Sequence, residues 1–152
     1  MGMDSNLIVK NIRLERDKIE SFNKYPFNID LVKDFEELEF DSPVTFFVGE
    51  NGVGKSTFIE AIAVSLGLPA EGGTENFRYK TNDTTSELSK YIRIGTFNRP
   101  KTKFFLRAES FYNVATKEEE YADIAHPSEK YHEKSHGESF LALAQNQLRP
   151  NG

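Results

Sequence analysis

One stretch limits the folds open to this chain more than any other. Val44-Thr-Phe-Phe-Val48 is a β-branched and aromatic run of the kind that packs on a pleated surface, and it predicts a buried strand. It runs straight into Gly49-Glu-Asn-Gly-Val-Gly-Lys-Ser-Thr57, which fits G-x-x-x-x-G-K-[ST] with Gly49, Gly54, Lys55 and Ser56 at the fixed places. Phe58, Ile59, Ala61, Ile62, Ala63, Val64 and Leu66 then predict an apolar helix, ended by Gly67 and Pro69. Strand, glycine loop and helix follow one another in the order that a phosphate cradle requires.

The chemistry of such a cradle follows from its residues. Glycines turn the chain tightly and let its amides meet an anion with no Cβ between them. A helix beginning near Lys55 adds unpaired N–H groups and the positive end of its dipole. The loop therefore assigns Glu50, Asn51, Gly52, Val53 and Gly54 to the phosphate cradle. Lys55 reaches the β- and γ-phosphates, the Ser56 hydroxyl ligates Mg²⁺, and Thr57 is the next donor, towards the α-phosphate.

The wording of the loop resembles that of ABC-type P-loop ATPases, AAA-type ATPases of the soluble chromosome-maintenance and DNA-repair branch. The resemblance implies an α/β P-loop NTPase fold opened by an antiparallel β part, with ATP and Mg²⁺ as cofactors. It further implies an aromatic stacked on adenine some 25–30 residues before the lysine. Tyr25 is the candidate and Phe22 the second; a core or hairpin aromatic is the plain alternative.

The rest of the chain is read against that expectation. Leu7–Leu14 predicts a strand, Tyr25–Leu31 a second one opened by Pro26, and Glu36–Phe40 leads through Asp41-Ser42-Pro43 into the Val44 strand. Tyr91–Ile94 and Lys103–Ala108 read as further strands. Where the latter ends, an ABC-type ATPase has its Q-loop glutamine; Glu109 stands there instead, and the resemblance implies a water-mediated contact with the metal. The plain reading of Glu109 is a solvated strand-end charge.

Lys134-Ser-His-Gly-Glu138 opens a second apolar helix with Phe140, Leu141, Ala144 and Leu148 as its inward stripe. Ser135 and Glu138 form a capping box. The segment also resembles the ABC signature, with Ser135, Gly137 and Glu138 in place and Lys134 and His136 departing from it. In that family the signature contacts the γ-phosphate held by the other subunit, so the resemblance implies a dimer.

No apolar run ending in Asp-Glu follows the glycine loop, so the expectation is a single, partial domain over residues 1–152 that stops before its Walker B strand. Such a chain is expected to bind nucleotide better than it hydrolyses it, and either to be marginally stable or to hide its sheet edge by self-association. The alternatives are another P-loop phosphotransferase, such as a small-molecule kinase, and a non-catalytic nucleotide-sensing module. A GTPase is disfavoured, because Asn23-Lys-Tyr-Pro26 fails N-K-x-D.

Composition narrows the partners. A net charge of −5 offers no bulk attraction to nucleic acid, although a dimer could still build a basic patch from few residues. The absence of cysteine removes thiolate chemistry, and no apolar run nears the ~20 residues that span a bilayer. A cytoplasmic protein is expected. With 38% apolar residues, the 13 phenylalanines must supply much of the core.

Overall fold

The computed structural model describes residues 7–74 and 87–107, together with Glu138, Leu141, Ala142 and Gln145. Its frame is a three-stranded antiparallel sheet in the order β2-β1-β3, with β1 at Val9–Leu14, β2 at Glu37–Glu39 and β3 at Ile92–Thr96. Ile12 and Leu14 alternate inward on β1, as the sequence pattern predicts. Ile12 lies opposite Leu38 on one side and Ile94 on the other. Between Val9 and Asn11 the register slips, so Lys10 is an extra residue, and its carbonyl accepts the Phe40 amide at 2.9 Å.

The same register sets Arg13 directly opposite Arg93, a like-charge pair that would be unfavourable alone. Glu15 offsets it. Its carboxylate lies 2.7 Å from the Arg93 guanidinium and 2.9 Å from Lys18 Nζ. The hydrogen bond from Lys18 holds the Glu15 carboxyl below its ordinary value; burial opposes this, and the charges of Arg93, Lys18 and Arg13 reinforce it.

The expected strand at Tyr25–Leu31 is not formed. Residues 22–28 are turns, and Asp30–Asp34 is a short helix, α1. Arg16 explains the preference. Its guanidinium donates to the carbonyls of Lys33 at 2.6 Å, Phe35 at 2.9 Å and Val32 at 3.4 Å, satisfying the groups that a helix C-terminus leaves open. The same guanidinium lies 4.5 Å from the centre of the Phe22 ring.

Helix α2 covers Lys55–Ser65, in the place the apolar run predicts. It ends where Gly67, with φ of +85°, donates to Val64 O at 2.9 Å. Its inward face carries Phe58 and Ala61 into a core with Ile12, Leu14, Ile19, Phe27, Val32, Leu88 and Ile92. Phe58 is the centre: Phe35 and Phe47 meet its ring edge-on at 4.8 and 5.8 Å. The Ser65 hydroxyl, 2.7 Å from Ala61 O and 3.0 Å from Ser89 O, ties the helix to the 3-10 turn at Glu87–Tyr91 that feeds β3.

Two expected strands are corrected. Residues 41–50 form no strand among the described residues. Phe47 alone turns into the core, while Val44, Phe46 and Val48 are 64%, 83% and 87% exposed. The apolar run has the side chains of a two-sided buried strand, but no described segment pairs with it. The run at Lys103–Ala108 reduces to one bridge, Phe105 with Gly73, which closes a small cluster of Ala63, Leu68 and Phe105; Ala108 lies outside the described residues.

Candidate functional site

The glycine loop is built between the exposed run and α2. Gly49, Gly52 and Gly54 all have positive φ, at +154°, +89° and +100°. Gly54 matters most. It is the left-handed residue that caps α2, and a Cβ built on it would run into the Ile29 side chain. Only glycine satisfies both demands. Around Gly52, by contrast, a Cβ would meet nothing within 4 Å, so its glycine serves the backbone turn and leaves open space in front of it.

The first hydrogen bond of α2 runs from Phe58 N to Gly54 O at 3.0 Å. The amides of Lys55, Ser56 and Thr57 therefore lie in the first turn, where a helix gives no internal acceptor. No side chain caps this end, and no acidic residue sits in the first turn to neutralise it. Lys55 Nζ donates to Gly49 O at 2.7 Å and Glu50 O at 2.6 Å, folding its charge over the mouth of the loop. Ser56 is exposed on the outer side of the same turn.

Tyr25 is brought to this site. Its side chain is 65% exposed, so it is not a core aromatic, and its hydroxyl lies 3.4 Å from Thr57 Oγ1. Its neighbours fix it: Pro26 and Phe27 are buried, Phe27 meets Tyr91 edge-on at 5.2 Å, and Asn28 N donates to Lys24 O. Phe22, the second aromatic candidate, is instead engaged by Arg16 and packs on the core. Ile29, the wall beside Gly54, escapes sequence reading, because nothing in its spacing marks it.

The signature-like segment is reached only in part. Ser135, Gly137 and the metal-side candidate Glu109 lie outside the described residues. Glu138, Leu141, Ala142 and Gln145 are helical, which agrees with a helix opening there. Leu141 is 58% exposed, however, and so is not part of an inward stripe. A depression of about 510 Å³ over Arg13–Asp17, Glu36 and Glu37 shares no residue with the glycine loop. Arg16 and Glu15 there already face main-chain carbonyls and basic side chains.

The arrangement suits an anion. Three first-turn amides and the Lys55 ammonium group lie at a loop whose glycines keep side chains out of the way, with the Ser56 and Thr57 hydroxyls on the same helical turn. A family model described as an AAA domain matches residues 18–147. The chain belongs to that AAA-domain family. This places it in the AAA-type P-loop ATPase superfamily, and the matched span includes the whole glycine loop and α2. No curated protein and no solved structure matches the chain. Among the described residues no helix is long and apolar enough to cross a membrane.

Proposed function

We propose that this chain binds ATP with Mg²⁺ at the Gly49–Thr57 loop. The observation that carries the reading is the open amide end of α2, behind a glycine that only glycine can replace, within a chain of the AAA-domain family. Glu50, Asn51, Gly52, Val53 and Gly54 wrap the β-phosphate with main-chain amides. Lys55 leaves the carbonyls of Gly49 and Glu50 for the β- and γ-phosphates, a short swing for a flexible side chain. The Ser56 hydroxyl holds Mg²⁺, and Thr57 donates near the α-phosphate. The metal's part is to neutralise charge on the β- and γ-oxygens.

The finer reading is an ABC-type nucleotide switch that works as a cytoplasmic dimer. Ser135, Gly137 and Glu138 of one subunit face the γ-phosphate in the other, Glu109 contacts the metal through water, and the exposed apolar row at Val44, Phe46 and Val48 favours self-association. Phosphoryl transfer is largely positioning and electrostatics. In the given sequence no apolar run ending in Asp-Glu follows the loop, and these 152 residues are expected to bind nucleotide better than they turn it over. Calorimetric titration with ATP and Mg²⁺, beside a hydrolysis assay, tests both parts. Saturable 1:1 binding with slow turnover agrees with the proposal; no binding defeats it.

A further inference from the structure

Tyr25 has an unusual setting for an exposed aromatic. The turn that carries it is pinned by buried Pro26 and Phe27, and two residues later Ile29 closes against Gly54. One short turn thus walls the first turn of α2 at two points, Ile29 at its cap and Tyr25 at its third residue. The Tyr25 and Thr57 hydroxyls stand 3.4 Å apart, longer than the 2.5–3.0 Å of an O–H···O bond. Either hydroxyl can donate across so long and weak a contact, and both lie beside the positive end of the helix.

We propose that the Tyr25 hydroxyl is a phosphate ligand, donating with Thr57 to one oxygen of the bound nucleotide. The proposal rests on the reading that the glycine loop holds the nucleotide's phosphates. It gives Tyr25 a different task from a stacking platform: the hydroxyl end of the ring, rather than its face, does the binding. An acceptor between two loosely spaced hydroxyls takes a proton from each, and a charged acceptor makes both bonds stronger. A tyrosine held on a stiff turn loses little side-chain freedom in making that contact.

The test uses Tyr25→Phe, Tyr25→Leu and Lys55→Ala in the full chain, titrated calorimetrically with ATP plus Mg²⁺ and with inorganic tripolyphosphate, which has no base to stack on. The proposal expects Tyr25→Phe to weaken both ligands by the same factor, about three- to tenfold, and Tyr25→Leu to add little beyond that. Tyr25→Phe should leave the thermal midpoint unchanged, which separates a ligand contact from a structural one. If Tyr25→Phe binds both ligands as the parent does, or weakens ATP alone, the phosphate role is overturned while the glycine-loop reading stands. If the parent binds neither ligand, or Lys55→Ala binds as well as the parent, both fall.

Discussion

The two ends of α2 do opposite work. From Phe58 onward its inward face is sealed into the sheet core, and at its far end Ser65 is tied to Ser89 and Gly67 closes the last turn. At the near end three amides lie open, a left-handed glycine caps the helix, and the chain arriving from Val44 shows most of its apolar side chains to solvent. A binding loop needs open polar groups, and open polar groups do not hold a fold together. The helix reconciles these demands by anchoring immediately beyond the site, at Phe58.

The sharpest way to break that contrast is at the anchor. Phe58→Ala should cost about 3–5 kcal/mol of folding stability, measured by urea denaturation, because it removes the ring that Phe35 and Phe47 pack against. Phe46→Ser, twelve residues earlier and 83% exposed, should stay within about 0.5 kcal/mol of the parent. Its effect should fall on self-association, read by light scattering. Equal losses for the two would erase the distinction.

Gly54→Ala probes the boundary itself. Positive φ costs a side chain about 1–3 kcal/mol, and the Ile29 contact adds to it. Combining it with Ile29→Ala should not restore the parent's stability, because the backbone strain remains. A smaller effect is expected for Lys55→Ala. It should weaken ATP binding by about ten- to a hundredfold, the range for a hydrogen bond to a charged group, and leave the thermal midpoint nearly unchanged.

The sheet side has its own small signature in acid. The Glu15 carboxyl is held below its ordinary value in the folded chain, so its contribution to stability is fully present above the unfolded value, about 4.3. It is lost as pH falls through the lower folded value. Glu15→Gln should therefore flatten part of the stability decline below about pH 4.5, measured by thermal melts across pH. A decline identical in both proteins would remove Glu15 from the account.

How much of this was legible in the sequence follows from which forces are local. The glycine loop and α2 were readable because phosphate-loop spacing, apolar periodicity and the Gly67 stop all act within a few residues. Strands β1 and β3 were readable in outline, from the runs Leu7–Leu14 and Tyr91–Ile94. The helix at Asp30–Asp34 was not, because Arg16, fourteen or more residues earlier, supplies its cap. Val44–Val48 misled for the converse reason: its residue types suit a paired strand, and pairing depends on a partner that the run itself cannot specify. At the site, Tyr25 was legible as a position, while the contact of its hydroxyl with Thr57 and the Ile29 wall arise only when the turn folds back.

The central claim is that the open first turn of α2 and its glycine loop take up a triphosphate. The most direct measurement is a backbone amide NMR titration of the full chain with ATP and Mg²⁺. The account predicts saturable shifts greatest at Gly52, Gly54, Lys55, Ser56 and Thr57, with β1 and β3 nearly unmoved. Shifts absent from those amides, or greatest in the charged depression around Arg13 and Glu37, would contradict it.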